Sequence, residues 1–245
     1  MATRAKRYGR QGAGALLYND CSADRFRQTF AKVIGRNSDR RAKVLDVGRS
    51  HFSRLLLEYY DTVATLGYPL DVTEPTQLSE GWEPPVGKHY SAHIACDLNA
   101  PDDTAADPQP EYDLVILAEV VEHLFLAPEI ALRHLKKYLK PSGLMVCTTP
   151  NAASITKRLK LLAGRNPFER LVTNRFLLNH IREYTRSELV EIGSTCGLET
   201  VRHDYLEFVV PVRSIVLSAA HAVTRAAARV VPSFSRDQLI VYRPI

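Results

Sequence analysis

Glu111–Asn151 reads EYDLVILAEVVEHLFLAPEIALRHLKKYLKPSGLMVCTTPN, and the change of hydrophobic period along it decides the fold. Tyr112–Leu117 is a nearly continuous apolar run of the length of a strand buried on both faces. Pro128 then stands where a first helical turn tolerates proline, and Ile130, Ala131, Leu135, Tyr138 and Leu139 recur at the three- and four-residue spacing of a helix. Lys136, Lys137 and Lys140 complement the negative end of that helix's dipole, and Pro141 stops it. Ser142-Gly143 turns the chain into another strand, Leu144–Thr148. Strands and helices alternating in this way predict a parallel sheet covered on both faces.

The same alternation continues outward in both directions. Upstream, Ala42–Val47, Thr62–Leu66 and Tyr90–Cys96 read as strands, and Phe52–Tyr60 as a helix. Asp24–Ile34 predicts an N-terminal helix, with Phe26, Phe30, Val33 and Ile34 on one face and Ser22 as its cap. Downstream, a helix over Ser187–Cys196 is closed by Gly197, followed by a strand over Leu198–Val210, a helix over Arg213–Val230 and a strand over Gln238–Tyr242. The expectation is one α/β domain over 1–245, a doubly wound, mostly parallel seven-stranded sheet. Residues 1–40 form an arm and helical flank, and 151–184 an insertion on the substrate side of the sheet.

Composition narrows the setting. A hydrophobic content of 45% and a charged content of 24% are those of a globular protein, which excludes a disordered or fibrous chain. Cys21, Cys96, Cys147 and Cys196 are scattered, two of them in apolar runs, as expected of free thiols in a reducing cytoplasm. No run of apolar residues is long enough to span a membrane, so a cytoplasmic protein with at most peripheral membrane contact is expected. The net charge of +5 is uneven: Arg4, Lys6, Arg7 and Arg10 precede the first acid, Asp20. That arm is either a solvated terminus or a contact for phosphate or an anionic surface. The last long helix is likewise either packed on the sheet or laid on a membrane with its stripe of His221, Arg225 and Arg229.

In open parallel sheets ligands bind beyond the carboxyl ends of the strands. Val44-Leu45-Asp46-Val47-Gly48 is such an end, where glycine lets a ligand approach the backbone ahead of a helix N-terminus. Any α/β corner can take this form, so the longer segment carries the identification. Glu111–Asn151 resembles the fourth-to-fifth-strand segment of class I methyltransferases, in particular the ubiquinone-biosynthesis O-methyltransferase-like group. His180-Ile181-Arg182-Glu183-Tyr184-Thr185 is similar to the same group's segment before its late helix. The likeness runs from about Ala42 to Val201. It implies the Rossmann-like methyltransferase fold and S-adenosylmethionine as cofactor. By the same resemblance Asp46 and Gly48 line the methionine end, Asp97 and Leu98 border the adenine, and Ala118 and Glu119 lie beside the sulfonium.

The chain departs from that group's pattern twice. Its first loop reads Gly48-Arg49-Ser50-His51-Phe52, where the group repeats glycine at alternate positions. Ser50 is small enough to serve; Phe52 is not an obvious substitute. Arg49 is either a charge-assisted partner for the cofactor carboxylate or an exposed arginine. After the second strand, where the group holds the ribose with a carboxylate, this chain has Leu66-Gly67-Tyr68, and the nearest acids are Asp71 and Glu74.

Glu119, Glu122 and His123 form E-x-x-E-H directly after a strand. If helical, the segment presents all three on one face, and with His180 as a fourth ligand they can hold a divalent cation. The small-RNA 3′-end 2′-O-methyltransferases have a similar metal-binding arrangement, matched here at Glu119, Glu122, His123 and His180. The alternative has Glu122 and His123 capping and bracing the loop while His180 orients the insertion; without metal the catalytic base is His123 or His180, with Glu119 beside them. The expected activity is O-methylation of a hydroxyl on a small molecule, sugar or lipid-linked intermediate. Behind it stand a non-catalytic binding or scaffold protein of this fold and, more weakly, an RNA 2′-O-methyltransferase, since nucleic acid is not the expected partner.

Overall fold

Short runs rich in Val, Ile and Leu satisfy both backbone and side chains only inside a layered sheet. In this computed structural model residues 24–33, 37–68, 88–101, 108–170, 179–208 and 215–245 are described. Strands β1 (Lys43–Val47), β2 (Thr62–Gly67), β3 (His93–Ala95), β4 (Tyr112–Ala118), β5 (Leu139–Pro150), β6 (Leu198–Leu206) and β7 (Asp237–Pro244) form one seven-stranded sheet in the order β3-β2-β1-β4-β5-β7-β6. The first five pair in parallel, while β7 runs antiparallel to both β5 and β6. The helices are α1 (24–33), α2 (His51–Tyr59), α3 (Pro128–Lys136), α4 (Ile155–Leu162), α5 (Arg186–Thr195) and α6 (Ile215–Val230).

Alternation along each strand builds two cores. Leu45, Val115, Leu117, Met145 and Tyr242 face α3 and α5 through Leu132, Leu135 and Leu189. Val44, Leu114, Ile116, Val146 and Val241 face α2 and α1 through Phe52, Leu56 and Phe26. Cys147 and Cys196 are buried free thiols and Cys96 a partly buried one.

Four expectations change in detail. β3 is three residues long rather than Tyr90–Cys96, because this edge strand bonds to β2 alone. β5 begins at Leu139, before the anticipated Leu144, and Lys140–Gly143 bulges out of register between the pairs Tyr112–Leu139 and Leu114–Leu144. Gly143 suits this bulge, because a Cβ there would lie 2.6 Å from the Leu139 side chain, which would have to shift, and 3.0 Å from the Tyr112 carbonyl. The insertion is more regular than its sequence suggests: it contains α4, and a bridge between Asn151 and Tyr184 closes its two ends. β6 stops at Leu206; Ile34, Val209, Val210, Arg213 and Ser214 lie outside the described residues, as do Asp71 and Glu74.

Candidate active site

Strand order reverses at β1 and β4, so a crevice opens beyond their carboxyl ends. Gly48 leaves β1 with φ +85°, a left-handed conformation, and its N–H donates to the Leu66 carbonyl at 2.7 Å. A Cβ placed on Gly48 meets nothing within 4 Å. The glycine therefore serves its backbone angle and leaves open space before the peptide. Gly67 ends β2 close by, where a Cβ would sit 3.8 Å from the Gly48 Cα. Gly48→Ala is expected to cost roughly 1–2 kcal/mol of stability from the left-handed backbone and to weaken S-adenosylmethionine binding at least about tenfold. Calorimetric unfolding and titration separate the two effects. Unchanged affinity would remove the crevice from consideration.

The rest of this loop is braced from behind. The Ser53 hydroxyl donates to Asp46 Oδ2 at 2.5 Å and accepts the Ser50 N–H at 3.0 Å, while Ser50 Oγ accepts the Phe52 N–H at 3.1 Å. Asp46 and Ser50 thus fix the first turn of α2, a capping box in which Ser53 takes the third position. Phe52 is fully buried, with Phe26 of α1 at 5.5 Å and Phe30 at 6.5 Å between ring centroids. What looked like a bulky intruder in a glycine loop is a core anchor for the N-terminal flank. Arg49 is not an exposed arginine: it is half-buried, with its guanidinium stacked 4.7 Å above the Tyr90 ring.

Burial pushes the Asp46 carboxyl up from 3.8 to about 8, against the opposing Ser53 hydrogen bond. A raised folded pKa means that the native state holds the proton more tightly. That stability is fully present below the unfolded value and is lost as pH rises through about 8. Asp46→Asn keeps an acceptor for Ser53 and removes the titration. It is expected to flatten the decline of stability with pH and to be more stable than the parent above pH 8 by about 1 kcal/mol or more. Denaturant unfolding across this range tests it.

At the next strand ends, Asp97 Oδ1 accepts the Asn99 N–H at 2.9 Å and closes a turn after β3. Asn99 Oδ1 in turn accepts the Phe125 N–H at 2.6 Å. Leu98 is buried in the core that includes Val47 and Leu117. His93 ties β3 to the end of β2, its Nδ1 2.9 Å from the Thr65 hydroxyl and its Nε2 3.0 Å from the Tyr68 carbonyl.

Beyond β4 the structure corrects the helical reading of E-x-x-E-H. Ala118 ends the strand, Glu119 has φ +59°, and only Val121–His123 forms a 3₁₀ turn. Glu119 is the sole non-glycine residue with positive φ among the described residues. It is held there from three sides. Its N–H donates to the Thr148 carbonyl at 3.0 Å, Oε1 accepts the Thr148 hydroxyl at 2.9 Å, and Oε2 accepts Arg25 Nη1 of α1 at 2.8 Å. Glu119 thus lies near the cluster that its spacing suggested, but its carboxylate is bonded to Arg25 and Thr148 and does not join the group of close ligand atoms.

Glu122, His123 and His180 do meet, with one candidate ligand atom from each lying within 4.8 Å of the others. Glu122 is fully buried; Oε2 accepts the Thr149 hydroxyl at 2.9 Å, and its carbonyl accepts the Ile181 N–H at 2.7 Å, which docks the 179–184 segment. Glu122 Oε1 is buried without a hydrogen-bond partner, 4.0 Å from His123 Nε2. Burial first, and the nearby Glu119 second, push the Glu122 carboxyl well up.

Both imidazoles are oriented through Nδ1. His123 Nδ1 lies 3.0 Å from the Asn179 carbonyl, and His180 Nδ1 lies 2.9 Å from Glu183 Oε1. Since these partners accept, each Nδ1 donates and each Nε2 keeps its lone pair. The rings meet edge to face at 5.1 Å. Burial depresses both imidazole pKa values, so both are neutral at pH 7. Glu183 is also paired with Lys157 of α4, whose ammonium burial lowers to about 8. A cleft of about 390 Å³ opens beside this cluster, lined by Ala152, Phe168, Glu169, His180, Ile181 and Glu183 among others.

Arg25, Thr148, Thr149, Lys157, Glu183 and Asp237 all join the site although none was proposed as a site residue from the sequence. Asp237, at the start of β7, is buried with Oδ2 3.9 Å from Arg25 Nη1, and burial raises its pKa well above the ordinary value. The polar pair Thr148-Thr149 ending an apolar strand was the one local signal.

A family model described as a methyltransferase domain matches residues 18–203. This chain belongs to that family and is a methyltransferase. Several solved structures share the fold at low identity. Burkholderia thailandensis 1,6-didemethyltoxoflavin-N1-methyltransferase, with its substrate and S-adenosylhomocysteine bound, is 16% identical with a TM-score of 0.53, over 96% of this chain and 89% of that one. An S-adenosylmethionine-dependent methyltransferase from Archaeoglobus fulgidus is 16% identical with a TM-score of 0.54, over 93% and 98%. Magnesium protoporphyrin IX methyltransferase from Synechocystis, with bound S-adenosylhomocysteine, is 12% identical with a TM-score of 0.53, over 93% and 86%. No curated protein sequence matches at a significant level.

Proposed function

We propose that this chain transfers the methyl group of S-adenosylmethionine to a hydroxyl of a small-molecule, sugar or lipid-linked acceptor in the cytoplasm. The observation that carries the acceptor chemistry is the pair of neutral imidazoles, each fixed at Nδ1: His180 lines an open cleft, and His123 packs edge to face on it at 5.1 Å. S-adenosylmethionine, when bound, would supply an activated methyl group, whose carbon–sulfur bond would break as the acceptor oxygen bonds to that methyl carbon. The hydroxyl proton passes to an imidazole Nε2, and S-adenosylhomocysteine leaves. Glu119, locked by Arg25 and Thr148, gives the crevice at β4 a fixed carboxylate. The family match and the presence of S-adenosylhomocysteine in the Burkholderia and Synechocystis proteins support the cofactor. The likeness of Glu111–Asn151 and His180–Thr185 to the ubiquinone-biosynthesis O-methyltransferase-like group supports transfer to oxygen, while Gly48–Phe52 and Leu66-Gly67-Tyr68 depart from that group's pattern. Calorimetric titration with S-adenosylmethionine and S-adenosylhomocysteine tests the reading; saturable binding of both is expected, and binding of neither overturns it.

A second reading is favoured by the buried, unpartnered Glu122 Oε1 facing His123. Glu122, His123 and His180 fit a divalent cation, whereas Glu119 does not join them because Arg25 and Thr148 hold it. A cation supplies charge that lowers the pKa of an acceptor hydroxyl. In a thermal-shift series with magnesium, manganese, cobalt and zinc, stabilisation present in the parent and lost in Glu122→Gln supports this reading. The absence of any shift removes it and leaves the imidazole base.

A further inference from the structure

Two helices flanking the site turn apolar residues toward water. α4 buries none of its residues, and Leu159, Leu161 and Leu162 are 52%, 57% and 84% exposed. α6 packs beside it with Ala228 inward and leaves Val223 and Val230 69% and 81% exposed. Helix faces in water are ordinarily polar at such positions, and contiguous apolar patches of this kind mark contacts. Lys160, Arg165 and Arg229 stand exposed around the patch. No Asp or Glu occurs in 151–168 or in 208–236; the next acids in the chain are Glu169 and the buried Asp237.

We propose that α4 and α6 together form a docking surface for an anionic phospholipid bilayer, with the leucines and valines entering the acyl boundary and the cations at the headgroups. Apolar side chains framed by cations and free of acids are what an anionic interface matches. A second copy of the chain fits less well, because an isologous contact would set Lys160, Arg165 and Arg229 against the same cations of the partner. Among the described residues no helix is long and apolar enough to cross a membrane, so the contact is peripheral. The surface adjoins the imidazoles: Lys157 of α4 pairs with Glu183, which orients His180. An acceptor dissolved in the bilayer would thus reach the cleft from its own phase. That consequence rests on the proposed methyl transfer; the docking itself does not.

Sedimentation of the full chain with vesicles tests the docking without any methyl donor. Binding is expected to phosphatidylcholine vesicles containing one third phosphatidylglycerol, and to be at least about tenfold weaker to phosphatidylcholine alone or in high salt. The double variant Leu161→Ser, Leu162→Ser should weaken binding at least about tenfold with an unchanged melting temperature, since both side chains are exposed. Absence of binding to the anionic vesicles overturns the proposal. So does binding that survives the double variant but is lost when Arg4, Lys6, Arg7 and Arg10 are each replaced by Gln, which assigns it to the arm. Self-association in light scattering that Leu162→Ser abolishes overturns it in favour of a second copy.

Discussion

His123→Ala is expected to lower kcat for methyl transfer by about 10²- to 10⁴-fold while leaving the affinity for S-adenosylmethionine within about twofold. The loss corresponds to roughly 3–5 kcal/mol. It does not abolish transfer, because a sulfonium methyl is already activated and in-line positioning can supply roughly 7–11 kcal/mol by itself. His123 is the better base of the two imidazoles: its Nδ1 donates to a backbone carbonyl, and its Nε2 faces Glu122. His180 instead shares Glu183 with Lys157. Because burial lowers the His123 pKa, the wild-type rate should rise with pH through a value below 6.5 and then level off. The rising limb belongs to the proton on His123, so the variant should lack it. Tritiated S-adenosylmethionine, tested with a panel of phenols, sugars and lipid-linked alcohols, provides the assay. A variant with unchanged kcat and an intact low-pH limb would refute the assignment.

Arg25→Ala is expected to destabilise the fold by about 3–5 kcal/mol at pH 8, the range for removing one partner of a buried ion pair. Arg25 and Glu119 side chains are only 13% and 9% exposed, so this is not a solvated surface contact. Arg25 lies 2.8 Å from Glu119 and 3.9 Å from Asp237, and it also stacks on Phe26 and Phe208. Its loss leaves Glu119 strained at φ +59° with only Thr148 to hold its carboxylate. The sign of the pH dependence follows from Asp237. Its folded pKa is raised, so its proton stabilises the native state below the ordinary value of 3.8 and that contribution fades as pH rises. Without Arg25 the charged form is disfavoured further, and the gap between variant and parent should widen as pH rises through the raised pKa of Asp237. For a chain of this size the midpoint should fall by roughly 6–20 °C. Arg25→Lys should recover only part of the loss, since lysine keeps the charge but not the planar stacking. A gap below about 1 kcal/mol at pH 8 would reduce the pair to a surface contact.

The two expectations differ in how far the sequence foreshadowed them. His123 stood in a local motif after a strand, whereas Arg25 and Glu119 are 94 residues apart and no periodicity joins them. Long-range charge pairing leaves no local trace. α4 was missed for a related reason: helices are read from an apolar face that repeats toward a core, and α4 buries no residue. The short β3 shows the converse error, because an apolar run sets a strand's capacity while pairing sets its extent, and β3 pairs with only the last three residues of β2.

The sequence by itself determined the layered sheet. Buried parallel strands must be apolar on both faces, and Val44–Val47, Tyr112–Leu117 and Leu144–Thr148 announce themselves with nothing else folded. It also placed the candidate groups after those strands, since Gly48, Glu119, Glu122 and His123 stand at or beyond their carboxyl ends. The tertiary structure alone decided which of these groups act together. Glu119 turned to Arg25 while Glu122 and His123 joined His180, because burial leaves each charge and polar atom to find a partner among whatever residues the fold brings within reach.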